Sequence, residues 1–233
     1  MTNDTIQIKV KQRINKLASN DFDNIMPWQI IEAFNKAQSG WCRRNLMGTN
    51  LTKTGDESSK RRIDDLQILL TEKALPMVKK DLYYISPKLP TDYFEWKSLS
   101  TSGTTACCPK RRFMVYLAEE ANIGELLRDH NKRPSFDWSE TFCTIANNKI
   151  KVFTNNEFDV VDTTLTYYRQ PRRIEITGVS DPYTGLVSTA NVECEFKDDL
   201  VELFIDECVK ILAGDLEDVN TSQIADNSVE TNN

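Results

Sequence analysis

The carboxyl-terminal third of the chain constrains the fold most, because an alternating stretch there hands over to a single amphipathic helix. The stretch Asp162-Thr163-Thr164-Leu165-Thr166-Tyr167-Tyr168-Arg169-Gln170-Pro171 is dominated by Thr and Tyr. Such residues suit a pleated, half-buried surface, and Pro171 ends a ladder because it has no N–H to contribute. A second strand-like run, Arg173 to Gly178, and a turn region, Ser180 to Gly185, come next. From Lys197 onward, Leu200, Val201, Phe204, Ile205, Cys208, Ile211 and Leu212 recur at helical steps, and Gly214 stands where a C-cap would. Beyond Asp215 the sequence is polar, which predicts a flexible tail.

The amino end reads as helical. Ile6, Val10, Ile14 and Leu17 form one stripe between charged positions, and Asn20-Asp21 breaks it. A stronger helix follows: Asp23 or Asn24 can cap it, Pro27 suits its first turn and Gly48 its exit. Trp28, Ile31, Phe34, Ala37 and Trp41 mark its apolar face, with Ile30 and Gln38 beside them, and Arg43-Arg44 complement its dipole. Gly48 to Lys60 reads as a loop, and Ile63, Leu66, Leu69 and Leu70 as a short third helix.

The middle of the chain has β character. Leu82-Tyr83-Tyr84-Ile85 and the aromatic run Asp92 to Trp96 lie among prolines, Ser98 to Cys108 reads as a small-residue loop, and Arg112 to Leu117 as a strand. Asn122 opens a short helix containing Ile123, Leu126 and Leu127. Thr141 to Ala146 and Lys149 to Phe153, joined by Asn147-Asn148, predict a hairpin. Helices at both ends around strands argue an α+β fold: a bundle formed by the two terminal regions around an antiparallel β-rich centre. The expected divisions are 1–70 with 197–214 for the helical part, 71–196 for the β-rich region and 215–233 for the tail.

The residues that carry chemistry are sparse. The single histidine, His130, sits in a polar run with no poised nucleophile near it in sequence. The six cysteines (Cys42, Cys107, Cys108, Cys143, Cys194, Cys208) lack zinc-ligand spacing and are too scattered for a secreted disulfide framework, so reduced thiols in the cytosol are expected. Ser102-Gly103-Thr104 lacks the second glycine and the lysine of a phosphate loop. Asp198-Asp199 falls in a first helical turn, where negative charge favours the dipole without any catalytic role. The reading is a non-enzymatic protein with no cofactor and no metal site.

Charge weighs on partner choice. Basic clusters occur at Lys60-Arg61-Arg62, Lys110-Arg111-Arg112 and Arg169 with Arg172-Arg173, but the net charge is −6, which gives no global attraction to nucleic acid. A nucleic-acid-binding accessory protein using basic-aromatic strands remains the alternative, with Phe113, Tyr116, Tyr167 and Tyr168 available to stack on bases.

In order and local wording the chain resembles head–tail connector (adaptor or ring) proteins of tailed bacteriophages, most closely those of crAss-like phages. The residues that carry the resemblance are Trp28-Gln29-Ile30-Ile31-Glu32-Ala33-Phe34-Asn35-Lys36-Ala37-Gln38 and Trp41-Cys42-Arg43-Arg44, then Leu165 to Ile174 in the β-rich middle, and the final helix Asp198 to Ala213. The resemblance implies a structural virion protein at the head–tail junction, assembled in the host cytoplasm. Such proteins form a ring, commonly dodecameric, beneath the portal protein and against neighbouring tail ring proteins, and DNA passes through the lumen without sequence-specific binding. Under that reading Trp28, Ile31, Phe34, Trp41, Leu200 and Phe204 pack the bundle. The candidate interface is Tyr84, Trp96, Tyr167, Tyr168, Arg169, Arg172 and Arg173, and the tail after Leu216 would order on a partner.

Overall fold

A computed structural model describes residues 1–17, 25–48, 60–182 and 185–215. The candidate caps Asp23 and Asn24, the 49–59 stretch, the tail after Asp215 and the side chains of Leu17 and of Lys60-Arg61-Arg62 lie outside the described residues. The fold is mixed α+β and divides into two compact units. Unit 1 is Met1–Ile68 with Pro171–Asn233, and unit 2 is Leu69–Gln170, inserted between them in the sequence. No helix among the described residues is long and apolar enough to cross a membrane.

Unit 1 contains α1 (Asn3–Leu17), α2 (Pro27–Leu46), α3 (Lys60–Leu66) and α5 (Asp198–Asp215). Helix α2 starts with Pro27 at its first position, and the Met26 backbone N–H donates to Gln29 Oε1 at 2.9 Å, so a glutamine three residues in satisfies an N-terminal donor. At the other end Gly48 takes φ +66°, the left-handed exit its position in the sequence predicts. Helix α5 continues through Gly214 to Asp215, so this glycine is a helical residue and not the expected cap.

Phe34 and Trp41 of α2 meet Phe204 of α5 edge-on, with ring centroids 5.9 and 5.5 Å apart, and Phe196 joins them at 5.3 Å from Phe204. Perpendicular rings place a positive edge on a negative face, which adds to the burial each ring contributes. Around this apolar centre the acidic face of α5 meets bases from two helices. Lys9 and Arg13 of α1 pair with Glu202, Arg13 also pairs with Asp206, and Arg44 of α2 pairs with Glu207.

The run Arg173 to Gly178 does not form the expected strand. It makes one bridge, Glu175 to Val192, and the Gly178 N–H donates to the Ser188 carbonyl at 3.0 Å, while helix side chains serve the backbone around Ile174. The Ile174 N–H donates to Asn35 Oδ1 at 2.9 Å and its carbonyl accepts from Asn35 Nδ2 at 3.3 Å. Gln38 Nε2 donates to the Arg172 carbonyl at 2.8 Å, and Asn3 Nδ2 to the carbonyls of Glu175 and Val192 at 2.8 and 3.0 Å. Two amides three residues apart on one helix face thus replace a neighbouring strand. Pro171 to Phe196, which the sequence reading groups with the β-rich region, shares its contacts with unit 1.

Unit 2 is one curled sheet of eight strands. They are β1 (Leu70–Ala74), β2 (Val78–Lys79), β3 (Tyr83–Ile85), β4 (Tyr93–Thr105), β5 (Cys108–Leu117), β6 (Glu140–Ala146), β7 (Lys149–Phe153) and β8 (Asp159–Arg169). Their order is β1-β8-β4-β5-β6-β7-β3-β2. The expected hairpin is β6–β7; Asn147 and Asn148 take φ +52° and +59°, the left-handed pair that a two-residue turn requires.

Two expectations need correction. The sheet is not wholly antiparallel: β5 and β6 run parallel, joined by a crossover containing the short helix α4 (Ile123–Arg128). The stretch Ser98 to Cys108 is not a loop but the second half of the longest strand, β4, and the start of β5. Its Ser and Thr residues alternate faces: Leu99, Thr101 and Gly103 are buried while Ser98 is exposed and Ser100 and Ser102 are half-buried. Thr101 faces Thr163 of β8, with their hydroxyl oxygens 3.0 Å apart.

Gly103 is small for a reason of space. A Cβ there would lie 2.7 Å from Phe158 and 2.8 Å from Phe113, whose rings stack at 4.2 Å and close a small aromatic cluster with Phe136. The larger core of the sheet gathers Leu75, Leu89, Leu99, Ile150, Val152, Leu165 and Tyr167.

Candidate functional site

In unit 1 the first half of α2 and the 173–189 segment enclose an open groove of about 590 Å³. Trp28 and Ile31, expected as packing residues, are half-buried and line this groove, whereas Phe34, Trp41, Leu200 and Phe204 are buried. The groove has apolar walls (Ile176, Val187) and charged groups at Glu32, Arg173 and Glu175. Leu186 and Val187 on its wall are 72% and 56% exposed. Such a surface can bind an apolar segment with a charged flank.

The strongest apolar exposure in unit 2 centres on β5 and the turn before β6. Met114 and Trp138 are 74% and 79% exposed, with Tyr116 and Leu117 exposed further along the strand. The Met114 N–H donates to the Ser139 carbonyl at 2.9 Å, which holds the turn carrying Trp138 beside the strand.

The expected interface residues separate into classes. Tyr84, Tyr167 and Tyr168 are buried: the Tyr84 hydroxyl donates to Asp159 Oδ1 at 2.7 Å, and the Tyr167 hydroxyl to Asp92 Oδ1 at 3.0 Å. Burial, with the bond to Asp92, pushes the Tyr167 phenol up to about 12. The Tyr84 and Tyr167 hydroxyls are thus satisfied within unit 2. Trp96 is partly buried against the main core, and Arg169 is half-buried. Arg172 and Arg173 are exposed, and Arg172 lies 3.7 Å from Glu195.

Basic side chains on β5 are already engaged locally. Lys110 pairs with Asp162, Arg112 Nε donates to Ser100 Oγ at 3.0 Å, and the Arg111 guanidinium lies 5.0 Å from the Phe136 ring centre. His130 is exposed.

One carboxylate has a displaced titration with a clear cause. Lys79 (2.5 Å) and then the Tyr84 hydroxyl bond to Asp159 and hold its carboxyl below the usual aspartate range. A depressed folded-state value means that this contribution to stability is complete above the ordinary aspartate range. It is lost as pH falls through the lowered value. An NMR titration of the Asp159 carboxyl carbon is therefore expected to show a midpoint below that of an unpaired aspartate. Lys79→Met should raise it further than Tyr84→Phe does, and an unchanged midpoint in both variants would contradict this assignment.

Asn35 and Gln38 do work that the sequence analysis did not assign, although it placed Gln38 beside the apolar face. Their signal was a polar amide within the apolar face of an amphipathic helix, a position that demands a buried partner. The sequence matches no protein-family model and no curated protein.

Proposed function

We propose that this chain is a structural virion protein that assembles into an oligomeric ring of the head–tail connector, below the portal, with DNA passing through the lumen. In this reading α1, α2 and α5 form a helical bundle that carries unit 2 as an insertion, and the protein is not an enzyme. The observation that carries the reading is the presence of two unlike apolar surfaces, one on each unit: Met114 and Trp138 with the exposed end of β5, and the unit 1 groove with Val187 on its wall.

A head-to-tail contact needs two different complementary patches per protomer, and repetition of such a contact closes a ring when the rotation divides the circle. Apolar side chains exposed to this degree also belong to surfaces that a partner covers. The order of elements agrees with the resemblance carried by the Trp28–Arg44 and Leu165–Ile174 stretches. Nucleic-acid binding is less favoured, because the basic residues of β5 are committed to Asp162, Ser100 and Phe136.

The test is sedimentation of the full chain across a range of concentration and salt, alone and with a purified portal. A salt-tolerant closed oligomer or portal complex is expected. A strict monomer under both conditions would overturn the proposal, and DNA binding that weakens steeply with salt would favour the nucleic-acid reading instead.

A further inference from the structure

At the tip of the β4–β5 hairpin, Thr105 and Cys108 form the last pair, and Ala106-Cys107 makes the turn. The thiols of Cys107 and Cys108 both emerge there, with their sulfurs 3.3 Å apart. Cys107 is exposed, Cys108 is half-buried, and the Thr105 hydroxyl lies 3.6 Å from the Cys107 sulfur. Of the other cysteines, Cys42, Cys143 and Cys208 are buried, and Cys194 is half-buried with its thiol on Gln38 Oε1 at 3.5 Å.

The spacing selects among the reactions open to a dithiol. A direct S–S bond would have to draw the sulfurs together to about 2.05 Å. It would do so between adjacent residues, whose Cα atoms lie about 3.8 Å apart, closer than disulfides normally tolerate. The resulting small ring is strained. Inserting a single atom between the sulfurs leaves them where they are.

A tetrahedral zinc ion needs further ligands, and among the described residues no group of three or more His, Cys, Asp or Glu gathers to supply them. A two-coordinate soft ion prefers its sulfurs on opposite sides, too far apart for this pair. A pyramidal trivalent centre holds two sulfurs at close to a right angle, which suits a short sulfur–sulfur separation.

We propose that Cys107 and Cys108 form a bidentate dithiol site for a trivalent arsenical. The reaction is a condensation: an arsenic(III) oxide R–As=O and two thiols give R–As(S–Cys)₂ and one water. Both thiol protons leave on the oxide oxygen, two arsenic–sulfur bonds replace the arsenic–oxygen bond, and arsenic remains trivalent, so no oxidant or reductant takes part. The hydrogen bonds from Thr105 and Cys108 lower the Cys107 thiol's pKa and so favour its attack. This site stands independently of the ring reading.

The test uses the full chain, reduced and desalted, with phenylarsine oxide as the probe and intact mass as the readout. One phenylarsenic group per chain is expected, retained in excess glutathione and removed by ethanedithiol. Cys107→Ser and Cys108→Ser should each abolish the glutathione-resistant adduct, and Cys194→Ser should keep it. Absence of the adduct, its retention in either single variant, or its removal by glutathione as readily as by ethanedithiol would each overturn the proposal.

Discussion

Replacing Phe204 with alanine is expected to destabilise unit 1 by about 3–5 kcal/mol, the range for truncating a buried aromatic ring. Phe204 is fully buried and is the point where three other rings converge: Phe34, Trp41 and Phe196. The loss has two parts. Transfer of the ring from water is forfeited, and each edge-to-face contact adds about 0.5–1.5 kcal/mol beyond area burial. Helices α2 and α5 cannot collapse freely into the hole, because Arg44–Glu207 across them, and the pairs that Lys9 and Arg13 of α1 make with α5, fix their flanks. Urea denaturation, with hydrogen exchange read at α2 and α5 amides, measures the effect. A loss below about 1 kcal/mol would mean that this cluster is not the core of the unit.

The second large effect is expected at Gly103, in unit 2. Gly103→Val should cost about 3 kcal/mol, near the upper end for overpacking, because the first added carbon already falls inside contact distance of two stacked rings. Neither ring can swing aside easily, since Phe113, Phe158 and Phe136 are all buried against one another. The milder Gly103→Ala should lose less, and combining it with Phe158→Leu should recover part of the loss, a coupling between neighbours that independent sites would not show. Denaturation followed at Trp96 reads both. If Gly103→Ala changes stability by under about 0.5 kcal/mol, the packing argument for this glycine fails.

The parts of the fold legible in the sequence were those whose signal is local. Thr163, Leu165 and Tyr167 alternate along β8 and all turn inward, as their pattern predicts. Leu200, Val201, Phe204, Ile205 and Cys208 are buried along α5 for the same reason. The two asparagines of the β6–β7 turn were readable because few residues accept left-handed backbone.

Elements that depend on distant partners were not legible. Strand β1 carries no alternation, since its residues are exposed or half-buried at the sheet edge, and β8 alone defines it. Ser98–Cys108 resembles a loop until Phe113 and Phe158 arrive over Gly103. The parallel pairing of β5 with β6 is set by a crossover whose path has no short-range mark. Among candidate interface residues the burial of the tyrosines was not legible, because Thr and Tyr composition identifies a strand without telling which face the phenols serve. The hydroxyls of Tyr84 and Tyr167 are satisfied by Asp159 and Asp92, carboxylates far away in sequence.

The arrangement of the two units along the chain also sets an order of events during synthesis. Every strand of the sheet comes from one continuous segment, Leu69–Gln170, so all its partners are synthesised before α5. The helical unit has no such advantage. Lys9 waits for Glu202, a partner 193 residues later, and Phe34 waits for Phe204. The faces of α1 and α2 that α5 covers must therefore wait until the whole sheet segment has been made, a period in which a chaperone or a premature neighbour can reach them.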